Sequence, residues 1–163
     1  MKRYRPNVCG VLTDDARARV LVFRRTAPTI GEHSWQFPQG GLDEGEAPLD
    51  GLLRELKEEI GTRDVEVLAA LPRPIRYDFP PDVQDWLAAR DPEKSVYQGQ
   101  EQNWFLLRLR GGTEAINFDH QPAEFDAFRW VPPPEAVELV VPFKKDAYRA
   151  GLAELGLLPH QEA

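Results

Sequence analysis

The strongest periodic signal in the chain is a stripe of apolar residues at helical spacing in its first half. The stripe consists of Leu49, Leu52, Leu53, Leu56 and Ile60. Pro48 is tolerated in the first turn of a helix, and Gly61 suits the left-handed conformation in which many helices end. The pattern therefore predicts an amphipathic helix between these two residues.

Short apolar runs on both sides of this helix predict β-strands. The runs before the helix are residues 4–12, 19–25 and 34–37, and those after it are residues 65–71, 104–109 and 128–131. Residues 13–15 form a turn between the first two runs, so we expect those runs to pair as a hairpin, followed by a loop at 26–33. The run at 65–71 is expected to extend past the nearby prolines to Tyr77.

The segment 79–98 interrupts this series of strands. It is rich in proline, aspartate and lysine, which predicts an inserted loop with a helical turn at 83–89. Two further helices are predicted at 134–140 and 143–155. Since no internal repeat or linker divides the chain, the pattern indicates a single α/β unit with a mixed sheet between helices.

The composition is that of an ordinary soluble domain: 163 residues, of which 42% are hydrophobic and 29% charged. The formal net charge of −7 argues against broad, salt-driven binding of nucleic acid, and we expect no DNA partner. The negative charge does not exclude a phosphate substrate, because bound cations reverse the field locally.

The single cysteine, Cys9, lies in an apolar run and is expected to be a small core residue. A lone cysteine cannot form a disulfide within the chain, which fits a reducing compartment. The sequence shows no signal peptide and no apolar run long enough to span a bilayer. We therefore expect a cytoplasmic monomer that has no membrane partner.

Three carboxylates, Glu55, Glu58 and Glu59, fall on one face of the predicted helix, away from the apolar stripe. Like charges at this spacing destabilise a helix by about 0.2–0.5 kcal/mol per pair. The ordinary explanation of such a cluster is a solvated acidic face. A bound divalent cation is the alternative, because Mg²⁺ and Mn²⁺ prefer oxygen ligands and would remove the repulsion.

Two neighbouring features favour the metal site. A glycine-rich loop containing Gly40 precedes the helix, so that backbone carbonyl groups can approach an ion closely. Arg54 is adjacent to the three carboxylates and can brace Glu46 at the start of the helix, as residues behind metal ligands often do.

These residues fit a pattern of fixed spacing, G-x5-E-x7-R-E-U-x-E-E-x-G-U, in which U is a bulky aliphatic residue. The matching positions are Gly40, Glu46, Arg54, Glu55, Leu56, Glu58, Glu59 and Gly61. Thr62 departs from the pattern, a difference that affects packing more than chemistry. The segment 40–62 resembles a Nudix box.

Segments outside the box resemble one branch of the Nudix family, which contains RNA pyrophosphohydrolases and plant-type diadenosine tetraphosphate hydrolases. These segments are residues 4–8, 34–41, 99–105, 123–131 and 140–144. The resemblance covers residues 3–150 as one Nudix domain and leaves residues 151–163 as the end of the last helix and a short tail.

The resemblance implies the α/β/α Nudix sandwich and a site for two or three Mg²⁺ or Mn²⁺ ions. The ligands that it implies are the Gly40 carbonyl, Glu55, Glu58, Glu59 and Glu124. Water attacks a phosphorus atom in this chemistry, and one carboxylate accepts a proton from that water. We favour Glu55 as the base, with Arg54 among the catalytic residues, although Glu58 and Glu59 stay open as alternatives.

The resemblance also implies a substrate site. Its phosphate contacts are Arg5, Arg25, Gln100 and Lys144, its base platform is formed by Val141 and Phe143, and Arg76 and Tyr77 are weaker candidates. From the residue types alone, each cation could equally be a solvated surface charge. Val141 and Phe143 could equally belong to the core.

The implied function is removal of pyrophosphate or phosphate from the triphosphorylated or diphosphorylated 5′ end of RNA, which starts RNA decay. The main alternative is asymmetric hydrolysis of a dinucleoside polyphosphate, diadenosine tetraphosphate. A non-catalytic nucleotide sensor is disfavoured because the set of catalytic carboxylates is complete. A nonspecific nucleotide-cleansing hydrolase is disfavoured because the match extends well beyond the box.

Overall fold

The computed structural model describes residues 3–27 and 35–160, which form two β-sheets and four α-helices. The larger sheet contains β1 (Tyr4–Leu12), β4 (Gln39–Gly41), β5 (Val65–Ala70), β6 (Ile75–Asp78) and β7 (Gly99–Leu109). The smaller sheet contains β2 (Val20–Arg25), β3 (Trp35–Gln36) and β8 (Phe125–Val131). The helices are α1 (Pro48–Ile60), α2 (Pro81–Arg90), α3 (Pro133–Leu139) and α4 (Lys145–Glu154), and a 3₁₀ turn at Pro142–Lys144 leads into α4.

The larger sheet is mixed, as the sequence predicts. Strand β1 runs parallel to β7 along its whole length and antiparallel to β4. Strands β5 and β6 both pair with β7 in the antiparallel sense. The central position of β7 explains why it is longer than the predicted strand at 104–109.

Side chains that alternate along the central strands fill two separate hydrophobic clusters, one on each face of the sheet. On one face, Val8 and Leu12 of β1 pack in the same cluster as Leu52 and Leu56 of α1. On the other face, the neighbouring side chains of β1 and β7 pack with residues of α3 and α4: Cys9, Val11, Trp104, Leu106, Ala136, Tyr148 and Leu152. This is a helix–sheet–helix arrangement, and Cys9 is a buried core residue as predicted.

Helix α1 has the predicted start and end. Pro48 is its first residue, and Gly61 caps it in the left-handed conformation with φ of 80°. The apolar stripe faces the core, except that Leu49 in the first turn is 36% exposed. Thr62, the position that departs from the motif, is buried.

The predicted hairpin between the first two strands is wrong. Strand β2 pairs with β3 and β8, and only an isolated bridge between Thr13 and Val20 connects it with the end of β1. The reason is that β2 is apolar on both faces: Val20 packs in one hydrophobic cluster and Leu21 in the other. A strand of this kind gains most from a central position, which it has in the smaller sheet.

The region after α1 also differs in detail from the prediction. The expected continuous strand divides into β5 and β6, and the expected helical turn in the inserted segment is the ten-residue helix α2. Residues 28–33 of the predicted loop, Ser34 of the third predicted strand and residues 161–163 of the tail lie outside the described residues. Within residues 3–27 and 35–160, no helix has the length and apolar character needed to cross a membrane.

Candidate active site

The glycine-rich strand β4 brings its backbone against two functional side chains. A Cβ atom placed on Gly40 would lie 2.0 Å from Cδ of Glu55, and one placed on Gly41 would lie 2.2 Å from Nη2 of Arg5. Such separations are far below van der Waals contact. Glycine at both positions therefore lets Glu55 approach one face of β4 and Arg5 approach the opposite face.

Arg54 connects this strand to the helix. Its Nε and Nη2 donate to the two carboxylate oxygens of Glu46, at 3.0 and 2.8 Å, and Nη2 also donates to the Gly41 carbonyl at 3.0 Å. Its Nη1 donates to Oε1 of Glu55 at 2.8 Å. The paired guanidinium lowers the pKa of Glu46 to about 2. The expected brace between Arg54 and Glu46 is thus present, and it also orients Glu55.

The three carboxylates of α1 have different environments. Glu59 is buried, the Glu55 side chain is 16% exposed and the Glu58 side chain is 45% exposed. Burial raises the pKa of Glu55, and it raises the pKa of Glu59 well above its ordinary value. The carboxyl groups of Glu55 and Glu59 are in hydrogen-bond contact, which raises the pKa of Glu59 further and lowers that of Glu55.

Glu124 is brought to this site from outside the motif. It precedes β8, and its carbonyl oxygen accepts a hydrogen bond from the Thr26 backbone N–H at 3.0 Å, next to the end of β2. Its charge contributes to the raised pKa of Glu59. The pairing of β2 with β8 therefore places a fourth carboxylate within electrostatic reach of α1.

The donor set fits a divalent cation at Glu55 and Glu59. Oε1 of Glu59 is buried and has no hydrogen-bond partner among the described residues, which is costly unless a proton or a cation satisfies it. Among residues 3–27 and 35–160, no three His, Cys, Asp or Glu side chains are grouped so that they could hold an ion as they stand. Glu58 instead lies 3.8 Å from Nη1 of Arg54.

Five of the six candidate substrate residues line one pocket of about 230 Å³. These residues are Arg5, Arg25, Gln100, Phe143 and Lys144. Tyr77, a weaker candidate from the sequence, also lines the pocket. The remaining lining residues, which the sequence did not indicate, are Gln39, Phe79, Val83, Trp86, Leu87 and Tyr97. The lining thus combines cations and amides with aromatic and aliphatic side chains, and Nζ of Lys144 lies 5.9 Å from the Phe143 ring centre and 6.0 Å from that of Tyr77.

The sixth candidate, Val141, lies elsewhere. It is 7% exposed and packs in the hydrophobic cluster that contains Cys9 and Trp104, and it does not line the pocket. Arg76 is also outside the pocket: its guanidinium lies 4.7 Å from the Tyr4 ring centre and forms a 2.8 Å ion pair with Glu101. Neither Val141 nor Arg76 therefore lines the pocket.

These observations agree with the comparison to protein families, in which the model described as the NUDIX domain matches residues 3–151. The chain belongs to the Nudix family. The family and the α/β fold predicted from the sequence are therefore confirmed.

Curated proteins and solved structures similar to this Nudix chain include three pyrophosphohydrolases. An RNA pyrophosphohydrolase of Helicobacter pylori (strain P12) is 42% identical over 153 residues, which cover 93% of each chain. One of Photorhabdus laumondii is 41% identical over 98% of this chain and 88% of its own length. Among solved structures, the dihydroneopterin triphosphate pyrophosphohydrolase of Escherichia coli is 20% identical, with a TM-score of 0.61 over 91% of this chain and 97% of its own. At that identity, the last likeness shows the fold alone.

Lys144 of this Nudix domain is held in a buried polar network. Its Nζ donates to Oε1 of Gln39 at 3.3 Å, and the same oxygen accepts a hydrogen bond from Gln102 at 3.1 Å. Gln102 also donates to Asn7 and accepts from Trp104. Burial lowers the pKa of Lys144 to about 7, and the charge of Arg25 contributes to this shift. A buried ammonium beside an arginine is unfavourable until an anion enters the pocket.

Lys144→Met should increase the free energy of unfolding of the ligand-free protein, and the increase should be larger at low pH. The Lys144 pKa is about 7 in the folded chain against an ordinary 10.5, so between these values the unfolded chain binds more protons. Wild-type stability therefore rises with pH through this window, and the cost of Lys144 is largest below pH 7. We expect a gain in unfolding free energy of about 1–3 kcal/mol at pH 6 that shrinks by pH 10.

Chemical denaturation at the two pH values measures this difference. Lys57→Met removes an exposed lysine of α1, whose Nζ donates to the Gly61 carbonyl at 3.3 Å, and serves as the matched control; its change should be small and about equal at the two pH values. An equal gain at pH 6 and pH 10 would show that the charge of Lys144 is not the source of the cost.

Proposed function

We propose that this Nudix chain is a divalent-metal-dependent hydrolase that removes pyrophosphate from the 5′ end of triphosphorylated RNA, and phosphate from diphosphorylated ends. The observation that carries the proposal is the junction between the carboxylate pair and a cationic pocket. Glu55 and Arg5 pack against adjacent glycines on the two faces of β4, a strand at the end of the larger sheet, and Arg5 shares its pocket with Arg25 and Lys144. Two curated relatives similar over most of their length, both RNA pyrophosphohydrolases, support the choice of RNA.

The cations of the pocket would bind the 5′ polyphosphate. Arg5 adjoins the backbone of Gly41, and Arg25 and Lys144 line the same space. The two arginines, together with Lys144 once an anion has entered the pocket, offset the repulsion between the substrate and a protein of net charge −7. Because these contacts are confined to one pocket, the protein would grip the phosphates at the RNA end rather than the RNA body.

Glu55 is the proposed general base. Arg54 holds one of its oxygens, and Gly40 lets it approach the backbone of β4. Glu55 would take the proton of a water molecule that attacks phosphorus, the phosphoanhydride bond would break, and pyrophosphate would leave from a 5′-monophosphate end. The Gly40 carbonyl, Glu55 and Glu59 would hold Mg²⁺ or Mn²⁺, with Glu58 and Glu124 as further ligands. A bound cation supplies stabilisation of charge on the phosphate oxygens and a more acidic water.

We expect RNA to be the preferred substrate over diadenosine tetraphosphate. The test compares pyrophosphate release from 5′-triphosphorylated RNA with cleavage of diadenosine tetraphosphate, at matched concentrations and with Mg²⁺ present. We expect kcat/KM to be at least about tenfold higher for RNA than for diadenosine tetraphosphate, a difference of about 1.4 kcal/mol in transition-state binding. RNA with a 5′ monophosphate is the control and should release nothing. A preference for the dinucleotide would replace the proposed substrate with its main alternative.

A further inference from the structure

One wall of the substrate pocket comes from the inserted segment 79–98, which the sequence indicated only as a loop with a helical turn. Val83, Trp86 and Leu87 of α2 line the pocket together with Tyr97, which follows the 3₁₀ turn at Lys94–Val96. Phe143 lines the same pocket from the turn before α4. The apolar part of the pocket is thus formed by two elements distant in sequence.

The position of the charged groups sets the direction in which a nucleotide can enter. Glu55 packs on Gly40, and Arg5 packs on the adjacent Gly41, so the reacting phosphates belong at this strand. A nucleobase attached to these phosphates must then occupy another part of the pocket. Trp86 and Phe143 both line this pocket with flat rings, Phe143 beside Lys144 and Trp86 on α2.

Neighbouring side chains contact the rings of both Trp86 and Phe143. The Arg90 guanidinium, one helical turn after Trp86, lies 4.9 Å from the Trp86 ring centre, and Arg90 is not a lining residue. The Phe143 ring centre lies 5.9 Å from that of Tyr77 and 6.2 Å from that of Phe79. Contacts of this kind orient a ring without covering both of its faces.

The helix that carries Trp86 is weakly anchored. Val83 is its buried residue, and Trp86 and Leu87 are half-buried. The Gln84 side chain donates to the Phe79 carbonyl at 3.2 Å, and the Asp82 carboxylate accepts from Val83 N–H at 3.0 Å, so both bonds stay within the inserted segment. The apolar side chains that hold α2 in place are therefore largely the ones that line the pocket.

We propose that Trp86 of α2, with Phe143 of the turn before α4, forms the platform on which an RNA nucleobase next to the 5′ phosphates stacks. This assignment rests on the proposed function and deepens it. It also replaces the pairing of Phe143 with Val141 that the family resemblance implied, because Val141 packs in the core. Stacking accepts any base, so Trp86 contributes affinity for a nucleotide rather than for one sequence.

The test separates base binding from phosphate binding. Trp86→Ala should raise KM for 5′-triphosphorylated RNA by about ten- to a hundredfold, the usual effect of losing a stacking contact. The inhibition constant of inorganic tripolyphosphate, which has no base, should stay within about twofold. Trp86→Phe should recover most of the loss, since it keeps a flat ring. Asp85→Ala, at an exposed position of the same helix, is the matched control and should leave both values unchanged.

Two results would overturn the assignment: an unchanged KM for RNA in Trp86→Ala, or an equal loss for RNA and tripolyphosphate. If Trp86→Ala melts well below the wild type, Trp86→Leu keeps the bulk and removes the flat surface, with the same expectations. Calorimetry with a 5′-triphosphorylated dinucleotide measures the binding affinity for a nucleotide independently of hydrolysis. Wild-type protein that binds the dinucleotide through Trp86 but releases no pyrophosphate would refute the function alone.

Discussion

Glu55→Gln should fold as the wild type does and should lower turnover of 5′-triphosphorylated RNA by at least about a hundredfold, a typical effect of losing a general base. Glutamine keeps the shape of the side chain, which packs against Gly40, and its carbonyl oxygen can still accept the hydrogen bond from Arg54. The amide cannot take a proton from water and binds a cation more weakly. Single-turnover kinetics, with melting curves to verify folding, measure the effect.

Two other carboxylates of α1 serve as controls for the Glu55→Gln variant. Asp50→Asn removes an exposed carboxylate from the first turn of α1 and should leave turnover within about twofold, as surface substitutions usually do. Glu58→Gln, at the more exposed site, should cost less than Glu55→Gln. Near-normal turnover in Glu55→Gln, together with a large loss in Glu59→Gln, would move the role of the base to Glu59.

Removal of divalent cations should abolish turnover and lower thermal stability together. Glu55 and Glu59 are in contact, and burial raises the pKa of both, so their charged forms repel each other in a poorly solvated place. A cation between them would remove this repulsion and satisfy the buried Glu59 oxygen that lacks a partner among the described residues. Turnover in excess chelator should fall below about 1% of the value with Mg²⁺, in line with the several kcal/mol that a metal contributes to such reactions.

A thermal melt with and without Mg²⁺ tests the same site without relying on catalysis. Mg²⁺ should raise the melting temperature of the wild type, because a ligand that binds the folded state stabilises it. Glu59→Gln removes one buried acid, so the variant should be more stable than the wild type without metal and should gain less from Mg²⁺. Turnover that persists in excess chelator, or an equal Mg²⁺ shift in both proteins, would contradict the metal site.

The local sequence determined the element that carries the chemistry. The limits of α1 follow from Pro48, the leucine periodicity and Gly61, all of which act within a few residues. The contact of Arg54 with Glu46 is similarly local, since a glycine-rich turn and one helix bring the two side chains together. Strand β1 also has its predicted limits, because its apolar run marks them in the sequence even though its partner strand β7 is distant in the chain. Short-range interactions of this kind are encoded in residue type and spacing, so the sequence alone predicts them.

The tertiary structure decided how these parts are used. A strand such as β2, apolar on both faces, can pair with several partners, and the choice of β8 over β1 depends on burial that only the complete core supplies. Lys144 and Val141 look like any surface lysine and core valine, and only the fold shows that the lysine is buried beside the pocket. Val83, Trp86 and Leu87 of α2 have helical spacing, but the pocket that they line is completed by residues distant in the chain, which the spacing does not reveal.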